Sequence, residues 1–119
     1  MTINQIEEQS PFTTADGSII RSLLDLTNAP VRNQSLAEAT VPSGRATERH
    51  WHKESEEFYF ILEGSGKMEI NRKTKSIRPG DAILIPAGQW HQITADQGTR
   101  LRFLCCCSPP YSHEDTFFE

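Results

Sequence analysis

Gly44-Arg-Ala-Thr-Glu-Arg-His50-Trp-His52-Lys-Glu-Ser-Glu-Glu57-Phe-Tyr-Phe-Ile-Leu-Glu-Gly64 is the stretch on which the reading of this chain turns. His50 and His52 are two residues apart, and on a strand that spacing sends both side chains to one face. Two imidazoles converging from one strand make the beginning of a metal site. Lys53 to Glu56 reads as a turn, and Glu57 then heads an apolar strand running to Leu62. Glu56 competes with Glu57 as the carboxylate. Alternation favours Glu57, which shares a face with Tyr59 and Ile61 and leaves Glu56 to solvent. The chain has four histidines. His91 follows the turn Pro86-Ala87-Gly88, and His113 lies in a polar tail where an exposed side chain is expected.

Outward from this stretch the chain is punctuated by turn residues. Breaks fall at Asn28-Ala29-Pro30, Pro42-Ser43-Gly44, Gly64-Ser65-Gly66, Asn71-Arg72-Lys73, Arg78-Pro79-Gly80, Pro86-Ala87-Gly88 and Asp96-Gln97-Gly98. Short apolar segments separated by turns at roughly 8–15 residues indicate an all-β sandwich or barrel. Ser22 to Leu26 is too short for a helix, and Pro109-Pro110 ends the last long strand because proline cannot donate to a ladder. The tail from Tyr111 to Glu119 is expected on the outside of the barrel or near its mouth.

The 119 residues make one domain, residues 1–119, long enough to bury a core without disulfides. At 36% hydrophobic and 24% charged residues the composition is that of a folded soluble protein, not a disordered one. The net charge of −4 is dispersed and leaves no basic footprint for nucleic acid. No apolar run approaches the length of a membrane span, and residues 1–10 are too polar for a secretory leader. Cytoplasmic residence is the expectation. Cys105, Cys106 and Cys107 are consecutive, so they point alternately to opposite faces and are expected to stay reduced on a strand.

With these residues in place, the chain resembles the cupin superfamily. The first cupin motif is Gly, five residues, His-x-His, three or four residues, Glu, six residues, Gly. Gly44, His50, His52, Glu57 and Gly64 match every interval. The second is Gly, five residues, Pro-x-Gly, two residues, His, three residues, Asn. Gly80, Pro86, Gly88 and His91 match it, with Ala95 in place of the Asn. That Asn is not a metal ligand in the family, so its loss bears on the following turn. Fifteen residues, Ser65 to Pro79, separate the motifs at 44–64 and 80–95. The resemblance implies an all-β jelly-roll barrel holding one divalent ion on His50, His52, Glu57 and His91. The interval to Gly64 again selects Glu57 over Glu56.

Three imidazoles and a carboxylate suit Fe, Mn, Ni, Cu or Zn. Four protein ligands on a six-coordinate ion leave two positions open. Alternation directs Tyr59, Met68, Ile83, Ile93, Phe103 and Cys105 inward as the wall of a small apolar cavity, with Ile61, Ile70 and Ile85. Cys105 is expected beside the ligands without ligating, and Cys107 either there or in the core. Arg102, Leu104 and Cys106 then face out, as do Trp51, Arg45 and Arg49. No Arg or Lys clearly points in, although Arg21 could be brought in by the fold. Fold alone does not settle function. The reading is a metalloenzyme of dioxygenase-like or isomerase-like chemistry on a small anionic or oxygen-bearing molecule. The alternatives are a non-catalytic small-molecule binder or a barrel with a structural metal. Phe58, Phe60 and Leu62 face away from the cavity and need cover. A homodimer would supply it, unless residues 11–20 fold back over them.

Overall fold

Turn chemistry cuts the chain into eleven short strands, as described by a computed structural model covering residues 1–119. In chain order they are β1 (Phe12–Thr13), β2 (Ile19–Leu24), β3 (Ser35–Val41), β4 (His50–His52), β5 (Glu56–Glu63) and β6 (Gly66–Ile70). Then come β7 (Lys73–Ile77), β8 (Ala82–Ile85), β9 (His91–Ala95), β10 (Leu101–Ser108) and β11 (Thr116–Phe118). The only helical pieces are single 3₁₀ turns at Ile6–Glu8 and His113–Asp115. Ser22 to Leu24 is strand, and β10 stops before Pro109 as the proline pair requires.

All pairings are antiparallel, and they form a six-stranded sheet, β1-β2-β3-β10-β5-β8, and a five-stranded sheet, β11-β4-β9-β6-β7. The result is the jelly-roll β-barrel that the resemblance implied. Alternation along β5 is clean: Glu57, Tyr59 and Ile61 are buried while Glu56, Phe58 and Phe60 are exposed. In β10, Leu101, Phe103 and Cys107 are buried, and Leu104 and Cys106 lie half-buried on the outer face. The register sets Phe103 opposite Ile61, Cys105 opposite Tyr59 and Cys107 opposite Glu57.

The core runs between the sheets. Val41, Ile61, Ile85, Ile93, Leu101 and Phe103 are each no more than 1% exposed. Burying an aliphatic or aromatic side chain of this size contributes about 1.5–3 kcal/mol. Gly44, Gly64, Gly80 and Gly88 all have positive φ, between 70° and 94°. Gly64 has a second constraint, since a Cβ there would sit 2.1 Å from the Arg100 carbonyl oxygen where β5 turns away from β10. Ala95, standing where the motif has Asn, is buried in the core. The turn beyond it is closed by Asp96, whose N–H donates to Ser65 O (3.0 Å) and whose carboxylate accepts from Ser65 Oγ (2.8 Å).

The tail packs near the mouth of the barrel. β11 pairs with β4, setting Thr116 opposite His52 and Phe118 opposite His50. Asp115 accepts hydrogen bonds from the N–H groups of Lys53, Glu54 and Ser55, fixing the turn that leads into Glu57. Residues 11–20 do not cover the outer face of β5. They pair at the far edge of the sheet, beyond β3, and Phe58, Phe60 and Leu84 stay about half exposed. No helix is long and apolar enough to cross a membrane.

Candidate metal centre

His50 and His52 project from one face of β4, and His91 opens β9 directly opposite His50. All three are buried, and one ring nitrogen from each lies within 4.8 Å of the others. Glu57, also buried, brings Oε1 to 3.3 Å from His52 Nε2 and 3.6 Å from His91 Nε2. His113 is exposed at the rim and takes no part in the cluster, and Glu56 faces solvent.

Hydrogen bonds at the back of each ring decide which nitrogen faces inward. His50 Nδ1 lies 2.7 Å from the Glu48 carbonyl oxygen and His91 Nδ1 lies 3.1 Å from that of Gln89. A carbonyl only accepts, so both rings carry the proton on Nδ1 and turn a bare Nε2 toward the centre. His52 Nδ1 lies 3.3 Å from Thr116 Oγ1, whose own proton goes to the Ser112 carbonyl at 3.1 Å. The hydroxyl therefore accepts from His52 too. Partners of this kind orient ligating histidines in metalloproteins.

With all three rings neutral, the centre is crowded with acceptors and lacks donors. Glu57 Oε1 and His91 Nε2 are buried with no hydrogen-bond partner. Each unsatisfied buried group of this type costs about 1–3 kcal/mol. A divalent cation bound between them would remove that cost, and the nitrogen-rich donor set suits a transition metal. Thus His50, His52 and His91 form a cluster that could hold a metal ion, with Glu57 positioned to join it.

Without the ion, the groups share protons among themselves. Burial and the neighbouring His50 push His91 down to about 4. Burial also works against charge on His52, but the Glu57 carboxylate outweighs it and holds His52 above the ordinary imidazole value. For Glu57, burial favours the neutral acid, and His52 with His91 outweighs it, keeping the carboxyl below its usual range. Burial, reinforced by Glu57, holds the Tyr59 phenol and the Cys105 and Cys107 thiols well above their usual values, so all three keep their protons. Cys107 Sγ lies 3.2 Å from Glu57 Oε2 and donates to it.

Beside the cluster opens a cavity of about 460 Å³, a size suited to a small organic ligand. Tyr59, Phe103 and Cys105 line it together with His50, His52 and Glu57. The other six residues expected on this wall lie elsewhere. Ile61, Ile85 and Ile93 are buried in the core, and Met68, Ile70 and Ile83 border a separate hollow between the β6–β7 hairpin and β8. Alternation gave the inward face, but not the depth along the barrel at which each side chain lies. Cys105 is on the cavity wall, while the thiol touching a candidate ligand is that of Cys107. No Lys or Arg lines the cavity. Arg21 instead reaches Glu38 at 3.9 Å, and Arg102 pairs with the same carboxylate. Trp51 faces out and stacks on Phe117 at 4.7 Å, while Arg49 lies over Trp90 and binds Glu69.

Three contributors gave no sequence signal of their place. Asp16, whose Oδ2 lies 4.0 Å from His50 Nε2, Thr116 and the Glu48 carbonyl come from a turn, the tail and the approach to β4. Thr-x-Asp-Gly-Ser at residues 14–18 is recognisable as a turn, but its docking against β4 depends on closure of the barrel.

A family model described as a cupin domain matches residues 37–107. The protein MJ1618 of Methanocaldococcus jannaschii is 46% identical over 112 residues, covering 94% of this chain and 90% of its own. Among solved structures, the polyketide cyclase RemF from Streptomyces resistomycificus superposes with a TM-score of 0.79 at 26% identity, over 97% of this chain and 89% of that one. A protein from Thermotoga maritima described as a predicted oxalate decarboxylase also gives 0.79, at 25% identity over 90% of this chain and 98% of that one.

Proposed function

The chain belongs to the cupin family, and from that premise we propose that it is a metal-dependent enzyme acting on a small oxygen-bearing organic molecule. His50, His52, Glu57 and His91 would hold the divalent ion. The observation that carries this reading is the convergence of bare imidazole nitrogens and an unpartnered carboxylate oxygen beside a cavity of ligand size. When bound, the ion supplies Lewis acidity to oxygen atoms of the substrate. The chain does the rest. Ile20, Leu36 and Phe103 hold the carbon skeleton and exclude water, and Tyr59 keeps a proton on a hydroxyl facing the same cavity. The likeness to a polyketide cyclase and to a predicted oxalate decarboxylase supports small-molecule chemistry at this site. Cytoplasmic residence fits three cysteines that form no disulfide.

Metal analysis and turnover together test the reading. One equivalent of a divalent transition metal is expected, together with conversion of an enolisable ketone or a catechol. Oxygen uptake during conversion marks dioxygenase chemistry, and conversion without it marks isomerase or cyclase chemistry. A protein that takes up no transition metal contradicts the proposal. Metal-dependent binding with no conversion of any such compound would favour the binding-module alternative instead.

The proposal includes a homodimer in which a second copy covers Phe58, Phe60 and Leu84, which the N-terminal strands leave exposed. Sedimentation at micromolar concentration is expected to give twice 13.5 kDa, and a lone 13.5 kDa species contradicts it.

A further inference from the structure

Asp16 lies in the turn between β1 and β2, more than thirty residues before the first histidine of the cluster, yet its Oδ2 comes to 4.0 Å from His50 Nε2. The other oxygen is fully occupied. Oδ1 accepts from Thr14 Oγ1 at 2.5 Å, from Ser18 N–H at 2.8 Å and from Ser18 Oγ at 2.6 Å. The turn itself is held to the barrel, since the Asp16 carbonyl accepts from Glu48 N–H at 2.7 Å, two residues before His50. The carboxylate is therefore fixed by one oxygen and presents the other to the cluster. His50 donates from Nδ1 to the Glu48 carbonyl, so what faces Asp16 Oδ2 is a bare lone pair. These two acceptors, 4.0 Å apart at the cavity, leave room for a cation between them, beside the buried and unpartnered Glu57 Oε1 and His91 Nε2.

We propose that Asp16 is a second carboxylate ligand, making five protein ligands with His50, His52, Glu57 and His91. The inference rests on the metal reading above and extends it. With metal–ligand bonds of about 2.1 Å, ligand atoms on a six-coordinate ion stand roughly 3.0 Å apart when adjacent and roughly 4.2 Å apart when opposite. The Asp16–His50 separation of 4.0 Å and the Glu57 separations of 3.3 and 3.6 Å fall within that span.

The fifth ligand changes what the site accepts. Three neutral imidazoles and one carboxylate leave a divalent ion with a single positive charge, which favours anions. A second carboxylate cancels it. The cavity offers no Lys or Arg in compensation and carries Asp25 and Glu114 besides. The ligand class is then a neutral molecule that donates a hydroxyl or carbonyl oxygen to the one remaining position, with an apolar body against Phe12, Ile20, Leu36 and Phe103.

Mn(II) titration and water-proton relaxation of the Mn(II)-loaded protein test this. Wild type is expected to hold one exchangeable water on the ion, and Asp16→Asn two, with Mn(II) affinity lowered at least tenfold. Glu8→Gln, on the exposed 3₁₀ turn outside the cavity lining, is expected to leave both values unchanged. Thr14→Val/Ser18→Ala keeps the carboxylate but loosens the turn, and is expected to lose at least threefold less affinity than Asp16→Asn. Oxalate, used as an anionic probe, is expected to bind Mn(II)-loaded Asp16→Asn severalfold more tightly than wild type. Two waters in both proteins, or equal losses in Asp16→Asn and the turn variant, would overturn the assignment of Asp16 while leaving the four-ligand site intact. Failure of wild type to bind Mn(II) or any other divalent transition metal would instead remove the metal reading beneath it.

Discussion

Follow the inward faces of β5, β9 and β10 from one end of the barrel to the other and the chemistry changes completely. At one end they carry Ile61, Ile93 with Ala95, and Phe103 with Leu101, all buried in a single apolar cluster. At the other end the same faces carry Glu57, His91 and Cys107. The first end is a buried apolar core, and close-packed interiors leave side chains little freedom. The second end is left open as the cavity, and its buried polar atoms lack donors. The difference teaches that the plug and the site are one construction. The packed end fixes the register of the strands, and the register places the imidazoles at ligand separation on the open end.

The largest expected effect breaks the polar end alone. His50→Ala/His91→Ala should drop metal content from about one equivalent to below about a tenth, since it removes two of the nitrogen donors. His113→Ala, at the rim, should leave it unchanged, and elemental analysis of the purified variants decides this. Breaking the packed end should act on stability instead. Ile93→Ala removes a side chain with no exposed surface and should cost about 2–4 kcal/mol in urea unfolding. The ligand set is untouched, so the folded variant should still load metal.

Acid sharpens the contrast further. In the metal-free protein His91 is held at about 4, below its ordinary 6.5, so under pH 6.5 the unfolded chain takes up a proton that the folded one refuses. Stability should therefore fall as pH drops from about 6.5 toward 4, by on the order of 1 kcal/mol at pH 5.5. His52, shifted upward, contributes in the opposite sense, and that contribution is complete once pH is below the ordinary histidine value. Urea midpoints of metal-free protein between pH 7 and 5 measure the net slope, and a flat profile would contradict the burial of a neutral His91. The smallest effect concerns adjacent thiols. Cys107→Ala removes the donor to Glu57 Oε2 and should weaken metal binding up to about tenfold, whereas Cys106→Ala, on the outer face, should change it less than about twofold.

The division between the two ends also separates what the sequence reveals from what it conceals. The cluster of His50, His52 and His91 beside Glu57 is legible because its cues are short-range: a spacing of two on a strand, alternation after a turn and, through the resemblance to the cupin motifs, a histidine three residues after Gly88 of the Pro-x-Gly turn. The inward set on β5 and β10 is legible for the same reason. The level each inward residue occupies is not, because it depends on how the two sheets stagger. Hence Met68, Ile83 and Ile93 point inward or toward a hollow without reaching the cavity. Asp16 and Thr116 were invisible for a related reason. They reach the cluster from the N-terminal turn and the C-terminal strand, and only long-range pairing brings those segments to β4.

Diffraction from metal-loaded crystals at the metal's absorption edge tests the central claim most directly. The account predicts one anomalous peak inside the barrel, within about 2.3 Å of His50 Nε2, His52 Nε2, His91 Nε2 and a Glu57 carboxylate oxygen. A peak bound through an Nδ1 atom, one seated on the cysteines, or no peak between β4, β5 and β9 would contradict it.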